Sequence, residues 1–325
     1  MKPPKNIVLI GAGNIGSRHL QGLAKINSPL SIEVFDPSIE SLKVAEERFK
    51  QIPNHSKHQI IFLTDSRMIS TQVDVAIIAT SSNIRRKVTE ELLTQSEVKN
   101  IIFEKLLFQK KNDYDFVKRL LEKKNIKAWV NCSMRVTPFY QKLKDKFKGK
   151  RIVYLLTGSR FGIATQAIHF IDHMAYLLDD YEFKVDTTGL DKNLLQSKRA
   201  GFLELTGTMI VNFSNGSTGV FSDFPEGDAP IVAQISSDNF QATANETTRE
   251  TFISNSPKWE IKPSPESLLF QSDMTNIVVE DILKTGGCGL PTYHQSIKVH
   301  LKLLEELLRF INRNSDKKQS LYPFT

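Results

Sequence analysis

The chain has 325 residues, of which 40% are hydrophobic and 24% are charged. These proportions are typical of a globular protein with more than one core, and they exclude a disordered or fibrous chain. The net charge of +7 comes from lysines spread along the chain. Because no aromatic and basic recognition motif accompanies them, we expect no nucleic-acid partner.

The cysteine content and the hydropathy pattern exclude several further classes of protein. Cys132 and Cys288 are far apart and form no CxxC motif, so neither a disulfide framework nor a cysteine metal site is predicted. No apolar run reaches about 18 residues, the length that a bilayer crossing requires. Residues 1–5 lead directly into a strand pattern and not into the apolar core of a signal peptide. We therefore expect a cytoplasmic protein with no membrane partner.

Residues 6–125 alternate short apolar runs with amphipathic stretches. The apolar runs that we interpret as strands are 7–10, 32–35, 75–79 and 101–103, and a helix is predicted over 17–25. Alternation of strands and helices predicts a parallel sheet, and continuous apolar strands indicate helices on both faces of that sheet. The sequence therefore predicts a doubly wound, α/β Rossmann domain over residues 1–125.

Residues 126–325 have a different pattern, typical of an α+β domain with an open, mainly antiparallel sheet. The predicted strands lie at 128–130, 152–157, 183–190, 202–213, 218–221 and 232–243, with a hairpin turn at Asn215–Gly216 and helices near 137–147 and after Pro291. We assign substrate binding and oligomerisation to this domain. One face of an open sheet needs protection, so we expect a homodimer or homotetramer formed through that face.

The sequence Gly-Ala-Gly-Asn-Ile-Gly at residues 11–16 lies between the first predicted strand and the first predicted helix. In this context Gly11 permits a tight turn, Gly13 lets the backbone approach a pyrophosphate, and Gly16 allows the helix to pack closely on the strand. The free N–H groups at the helix N-terminus attract phosphates. We assign Gly11, Gly13, Asn14, Ile15 and Gly16 to a dinucleotide site.

Asp36 ends the second predicted strand, 20 residues after Gly16. A carboxylate at this position accepts hydrogen bonds from the ribose hydroxyls of NAD and repels the 2′-phosphate of NADP. The sequence therefore predicts NAD as the cofactor in preference to NADP, although Ser38 in the following loop leaves room for NADP.

The segment 79–83 follows the strand at 75–79, where the carboxyl edge of the sheet faces the cofactor crevice. We assign Thr80 and Ser81 to the nicotinamide half of the cofactor site. Capping of the next helix by Ser82 or Asn83 is an equally good interpretation of this segment, and the two roles are compatible.

Glu104 and Lys105 follow the strand at 101–103, again at the carboxyl end of the sheet. A lysine beside a nicotinamide orients a substrate hydroxyl and lowers its pKa through the positive charge. We therefore assign Glu104 and Lys105 to the cofactor site and Lys105 also to catalysis. A plain surface position for the pair is the alternative.

A predicted helix over 166–178 places His169, Asp172, His173 and Tyr176 on one side. Histidine suits proton transfer because its ordinary pKa is about 6.5. A core histidine is the alternative. The spacing of His169 and His173 also resembles a zinc-binding helix, but no third ligand has a convincing position, so no metal is predicted.

In this order the motifs resemble those of the glucose-fructose oxidoreductase, inositol dehydrogenase and rhizopine catabolism (Gfo/Idh/MocA) family. The strongest points of resemblance are 11–20, 103–105 and 168–172, with Arg135 and Pro138 as further matches. The resemblance implies that Lys105 positions a sugar hydroxyl and that His169 exchanges a proton with it. Asp172 corresponds to the acid one helical turn after that histidine.

Two residues depart from the family pattern. Leu106 replaces a proline after the lysine, and Thr165 replaces an aspartate four residues before His169. Such variation, with the segment 162–178, resembles members associated with surface polysaccharides and nucleotide sugars. The resemblance therefore implies a sugar or nucleotide-sugar substrate. We assign Arg135 and Arg160 to its anionic groups, and Asp172 and Tyr176 as further substrate-binding residues.

Three functions remain open from the sequence. The first is NAD-dependent oxidation or reduction of a sugar carbon. The second is a catalytically retired NAD(H)-binding sensor or partner protein, which the two departures favour. The third is an NAD-retaining enzyme that oxidises its substrate only transiently while another bond is broken.

Overall fold

The computed structural model describes residues 3–325 and divides the chain into two compact units. Unit 1 contains the chain up to Val136 and Leu269–His294, and unit 2 contains Thr137–Leu268 and Gln295–Thr325. The predicted domain boundary after residue 125 differs from this division. The chain returns to unit 1 after most of unit 2 is complete, and no change in the sequence pattern marks that return.

Both units combine helices with β-strands. The helices are α1 Asn14–Ala24, α2 Ile39–Lys50, α3 Ser82–Gln95, α4 Lys111–Lys123, α5 Pro138–Phe147, α6 Ile163–Leu178, α7 Gln271–Thr285 and α8 Tyr293–Arg313. The strands are β1 Lys5–Ile10, β2 Leu30–Phe35, β3 Gln59–Leu63, β4 Gln72–Ile78, β5 Glu97–Phe103, β6 Lys127–Val130, β7 Val153–Ser159, β8 Phe183–Leu190, β9 Leu195–Gln196, β10 Leu203–Glu204, β11 Gly207–Phe213, β12 Thr218–Phe224, β13 Val232–Ser236, β14 Phe240–Asn245, β15 Thr251–Asn255 and β16 Lys262–Pro263.

Unit 1 contains a six-stranded parallel sheet in the order β3-β2-β1-β4-β5-β6. The last four residues of β1 and of β4 are fully buried. In these strands the apolar side chains on both faces are removed from water. Their continuous apolar sequences therefore stabilise a sheet that helices cover on two faces. The predicted Rossmann fold is confirmed, with β6 as its sixth strand.

Helix α7 completes unit 1 although it follows most of unit 2 in sequence. It packs on α1, and a Cβ added at Gly22 would lie only 2.6 Å from the Cβ of Thr275. Glycine at this position therefore permits the close approach of the two helices. Met274, Val278 and Ile282 of α7 enter the same core as the apolar residues of β1 and β2.

Unit 2 contains an eight-stranded sheet in the order β16-β15-β14-β13-β7-β12-β11-β8, and only the β7–β12 pair is parallel within it. Strand β7 alternates: Tyr154 and Leu156 are fully buried, whereas Val153 and Leu155 are exposed. Helix α6 covers the inner face, where a Cβ added at Gly219 would come within 2.7 Å of the Met174 sulfur. The prediction of an open, mainly antiparallel sheet is confirmed.

Several element boundaries differ from the predictions. The β11–β12 hairpin turns at Asn215–Gly216 as expected. The predicted strand at 202–213 is divided between β10 and β11, and Gly207 begins β11 with a φ of +96°. The predicted strand at 232–243 is a hairpin of β13 and β14. Both differences have one cause, because alternation reports the two faces of a strand but does not show where it bends or reverses.

Among the described residues, no helix combines the length and the apolar character that crossing a membrane requires.

Candidate cofactor site and catalytic residues

The loops that carry the predicted cofactor residues leave the Rossmann sheet at one edge. Gly11 N donates to Phe35 O at 2.8 Å, Ala79 N donates to Ile10 O at 2.8 Å, and Glu104 N donates to Ile78 O at 3.0 Å. The ladder of hydrogen bonds therefore continues one residue past β1, β4 and β5. This extension aligns the glycine-rich turn, the loop after β4 and the loop after β5 along the carboxyl edge.

The glycine-rich turn has the space that a dinucleotide requires. Gly11 has a φ of +96°, and a Cβ at Gly16 would lie 1.8 Å from Gly11 O, so a side chain is excluded at both positions. A Cβ at Gly13, by contrast, would meet no atom within 4 Å. Gly13 is the N-cap of α1, whose first turn contains no acidic residue. The turn thus presents an open backbone and a positive helix end, which fits a pyrophosphate.

Asp36 is held against this turn by two main-chain groups. Its carboxylate accepts hydrogen bonds from Ala12 N at 2.7 Å and from Ser38 N at 2.9 Å. The side chain is therefore fixed in direction before any ligand binds, and it places a negative charge beside the glycine-rich turn. This position fits the hydroxyl groups of a ribose.

The loop after β4 contributes a polar atom that lacks a partner. Thr80 Oγ1 is buried and has no hydrogen-bond partner among the described residues. Such an atom is costly unless a ligand or water satisfies it, and it fits a cofactor hydroxyl. Ser81 is the N-cap residue of α3, but its hydroxyl donates to Asn83 Oδ1 at 2.7 Å and does not cap the helix.

Glu104 lies in a buried hydrogen-bonded network. Its carboxylate accepts from His19 Nε2 at 2.9 Å and from the Asn131 amide. His19 Nδ1 is 2.9 Å from Thr275 Oγ1, and the Asn131 amide also donates to Gln271 Oε1 at 2.9 Å. The network therefore joins α1, α7 and the ends of β5 and β6.

Glu104 is ionised within this network. Burial opposes the charged form, but the hydrogen bond and charge of His19, the Asn131 amide and the charge of Lys105 together lower the pKa of Glu104 from 4.5 to about 2. An ionised carboxylate only accepts hydrogen bonds, so it holds the donor groups of His19 and Asn131 in place. Lys105 follows it directly, and the Lys105–Leu106 peptide bond is cis.

Helix α6 of unit 2 carries the other predicted catalytic residues. Asp172 is buried, and His169 is half-buried. His173 is a core residue, because its Nδ1 is 3.3 Å from the Tyr154 hydroxyl and its Nε2 donates to Tyr140 O at 3.3 Å. The polar residues of α6 therefore have different roles. His173 fixes the helix within unit 2, and His169 and Asp172 are the candidates for catalysis.

The N-terminus of α6 is held by two carboxylates that the sequence pattern does not predict. Glu204 accepts from Ala164 N and from the Thr165 hydroxyl, both at 2.7 Å. Asp223 accepts from Gly162 N at 2.7 Å and from Phe161 N at 3.2 Å. Thr165, one of the two departures from the family pattern, thus binds a carboxylate supplied by β10. The strand alternation around Glu204 was the only signal in the sequence, and it indicated no site.

The predicted substrate residues occupy separate positions. Tyr176 lies two helical turns after His169, and Lys144 Nζ is 4.8 Å from the centre of its ring. Arg135 is buried in unit 1, in the 3-10 helix Ser133–Val136. Arg160 is exposed in unit 2 between β7 and α6, with a φ of +55°.

No group of three or more histidine, cysteine, aspartate or glutamate side chains within residues 3–325 is placed to hold a metal ion.

Comparison with known proteins identifies the first domain. Residues 5–132 match the model of the Gfo/Idh/MocA oxidoreductase family, described as an NAD-binding Rossmann fold. The resemblance predicted from the sequence motifs, and NAD as the cofactor, are thereby confirmed for this part of the chain. No curated protein matches the sequence.

Solved structures share the fold over nearly the whole chain. UDP-N-acetylglucosamine 3-dehydrogenase GnnA from Acidithiobacillus ferrooxidans has a TM-score of 0.72 at 15% identity, covering 93% of this chain and 96% of that chain. An oxidoreductase from Agrobacterium radiobacter, in complex with NAD+, L-tartaric acid and magnesium, has a TM-score of 0.70 at 16% identity, covering 93% and 94%. The super-repressor mutant of Gal80p from Saccharomyces cerevisiae has a TM-score of 0.71 at 15% identity, covering 96% and 97%. Identities this low show the common fold alone.

The lowered pKa of Glu104 predicts an acid-dependent loss of stability. A carboxylate whose folded-state pKa is depressed stabilises the fold above its unfolded pKa of about 4.5, and this contribution disappears as the pH falls towards about 2. Glu104→Gln should therefore lower the free energy of unfolding by roughly 3 kcal/mol at pH 6, with a difference that shrinks below pH 4.5.

Urea unfolding of unit 1 measures this difference. Trp129 and Trp259 are the only tryptophans, so a Trp259→Phe background leaves Trp129, in β6, as the fluorescent reporter. The matched control is Glu97→Gln, at the exposed beginning of the same strand as Phe103, and it should leave the pH dependence unchanged. Identical pH profiles for Glu104→Gln and the parent would contradict the assignment of an ionised, stabilising Glu104.

Proposed function

Because residues 5–132 form an NAD-binding Rossmann domain of the Gfo/Idh/MocA oxidoreductase family, we propose that this protein is an NAD-dependent sugar oxidoreductase. The reaction is the interconversion of a hydroxyl and a keto carbon of a sugar or nucleotide sugar. The observation that carries this proposal is the fixed Glu104–Lys105 segment, which begins at the same sheet edge as the glycine-rich turn.

The cofactor is assigned to residues of unit 1. The open backbone at Gly13 and the start of α1 at Asn14 and Ile15 would hold the pyrophosphate. Asp36 would hold the adenosine ribose, and Thr80, Ser81 and Glu104 belong to the nicotinamide half. NAD, when bound, supplies the group that accepts or donates hydride.

The chain itself moves the proton. In the oxidative direction the substrate hydroxyl loses its proton to His169 as its carbon becomes a carbonyl, and in the reductive direction His169 returns it. The positive charge of Lys105 orients that hydroxyl and lowers its pKa. Asp172, one turn after His169 on α6, orients the imidazole and binds a further hydroxyl.

Two considerations support a nucleotide sugar as the substrate. One structural neighbour is a UDP-N-acetylglucosamine 3-dehydrogenase. Arg135 and Arg160 offer guanidinium groups, which suit the bidentate recognition of phosphates, and Tyr176 offers a ring and a hydroxyl. We assign these three residues to the substrate.

A second candidate function is an NAD(H)-binding sensor without turnover. Leu106 and Thr165 depart from the family pattern beside the two proposed catalytic groups. One structural neighbour is the super-repressor mutant of Gal80p, so the fold is also found outside dehydrogenases. An assay of NADH formation with NAD and a series of sugars and nucleotide sugars distinguishes the two functions, because only the oxidoreductase produces NADH. Exchange of deuterium at a substrate carbon without net NADH would indicate the NAD-retaining reaction.

The open face of the unit 2 sheet suits contact with a second copy of the chain. Val153 and Leu155 on β7 and Phe224 on β12 are exposed there, with exposed fractions of 42%, 37% and 50%. Antiparallel sheets tolerate water on one face, but neighbouring exposed apolar side chains favour burial. We propose a homodimer or homotetramer formed through this face.

Substitution of the proposed catalytic groups should separate turnover from cofactor binding. We expect Lys105→Met and His169→Asn each to lower kcat by about 10²- to 10⁴-fold while the Kd for NADH changes by less than about threefold. The control is Lys99→Met in β5, which removes an exposed ammonium 2.9 Å from Asp74 at the opposite end of the strand and should retain full turnover. Loss of NADH binding in both catalytic variants would contradict the assigned roles.

Substitution of Asp36 should change the cofactor preference. Asp36→Ser removes the acceptor for the ribose hydroxyls and the charge that repels a 2′-phosphate, so the ratio of NADPH to NADH affinity should rise at least about tenfold. Fluorescence titration with each cofactor measures the ratio. Glu46→Gln, which removes a half-buried carboxylate paired with Lys50 on α2, should leave the ratio unchanged. An unaltered ratio in Asp36→Ser would show that the preference arises elsewhere.

A charged side chain placed in the proposed interface should change the mass of the oligomer. Leu155→Glu should convert the oligomer to a monomer, because the carboxylate would lose its hydration in the contact. Light scattering after size-exclusion chromatography measures this mass. Ile61→Glu, at an apolar position 55% exposed on β3, is the control and should retain the parental mass. A monomeric parent protein, or an oligomeric Leu155→Glu variant, would contradict the interface.

A further inference from the structure

Arg85, in the first turn of α3, is the largest of the fully buried side chains, with only 1% of its surface exposed. Arginine is rarely buried to this extent, because its guanidinium keeps its charge and loses hydration. Its burial therefore calls for specific hydrogen-bond acceptors, and the positions of those acceptors indicate what the side chain holds in place.

The acceptors of the guanidinium lie on two different loops. Arg85 Nη1 donates to the carbonyl oxygen of Leu107 at 2.9 Å and to that of Leu106, and Nη2 donates to the carbonyl oxygen of Thr80. Thr80 belongs to the loop after β4, whereas Leu106 and Leu107 belong to the loop after β5. One rigid, planar group thus joins the main chains of both loops.

These contacts fix the main chain on the C-terminal side of Lys105. On its N-terminal side, the Glu104 carboxylate is fixed by His19 and the Asn131 amide. Lys105 therefore lies between two residues whose positions are set by buried hydrogen bonds. The position of the Lys105 ammonium depends on how firmly both flanking residues are held.

We propose that Arg85 is a positioning residue, which acts through the carbonyls of Thr80, Leu106 and Leu107 to place Lys105 and the loop after β4 for the reaction. The inference rests on the proposed function, since it assumes that Lys105 acts on a substrate. A guanidinium is required because its fixed fork meets acceptors on two loops at once, whereas an ammonium is a single charged point. A misplacement of about 1 Å lowers the rate of an oriented reaction by about 10²-fold.

Arg85→Lys and Arg85→Ala test the kinetic part of this proposal. In each folded variant we expect kcat to fall by about 10²-fold while the Kd for NADH changes by less than about threefold. Guanidinium ions added to Arg85→Ala should restore kcat at least about tenfold, and an equal ionic strength of sodium chloride should not. Unchanged kcat in both variants, or an equal loss of kcat and NADH affinity without rescue, would overturn the proposal.

Arg86 provides the matched control. It is the next residue of α3, but its guanidinium lies 3.1 Å from Glu90 and 4.2 Å from the centre of the Phe116 ring. Arg86→Lys and Arg86→Ala should retain kcat and should show no response to guanidinium ions. Equal losses in the Arg85 and Arg86 variants would indicate a general effect of removing charge from this helix and would overturn the specific role of Arg85.

Hydrogen–deuterium exchange separates the failure of this inference from the failure of the proposed function. Arg85→Lys should accelerate exchange in residues 79–84 and 104–110 together, and Arg86→Lys in neither. If the parent protein turns over no sugar but both segments respond, the proposed function fails and the link between the loops stands. If exchange in the two segments is unaltered, Arg85 does not hold them, whatever the activity of the parent.

Discussion

The ionised carboxylate of Glu104 is the constraint around which unit 1 is organised. Burial alone would protonate this group, so its charge persists only while His19 and the Asn131 amide remain within hydrogen-bond distance. Those donors come from α1 and from the end of β6, and Gln271 and Thr275 of α7 hold them in turn. A shift of any of these elements would leave a charge without partners in a dry interior, which is far more costly than losing an apolar contact.

The two units use the same arrangement to present functional groups. In each, buried or half-buried side chains hold the main chain that carries the proposed reactive residues. In unit 1 Asp36 binds the glycine-rich turn, and His19 and the Asn131 amide fix Glu104, the residue before Lys105. In unit 2 Glu204 binds the first turn of α6, and His173 anchors its middle between Tyr140 and Tyr154. Such support restricts the number of positions available to Lys105 and His169.

The sequence was sufficient for those parts of the structure that depend on neighbouring residues. The Rossmann strands β1, β2, β4 and β5, the glycine-rich turn and the hairpin at Asn215–Gly216 each follow from short patterns, and the fold confirms them. Strand β3 was not predicted, and the strand that became β6 was assigned to the second domain. The residues that support the site could not be predicted in this way. Glu204 binds Thr165 across 39 positions, and His19 meets Thr275 across 256, so no periodicity or spacing links either pair. The roles of Lys105 and His169 remain predictions from the resemblance.

The contribution of α7 to unit 1 has a consequence for biosynthesis. Met274, Val278 and Ile282 belong to the core that β1, β2 and α1 begin, and Thr275 completes the hydrogen bonds of His19. When the ribosome has made residues 1–136, the nascent Rossmann unit still has an uncovered apolar surface where α7 will pack. Completion of its core must wait for about 150 further residues, so residues 137–268 of unit 2 are translated before unit 1 can finish folding.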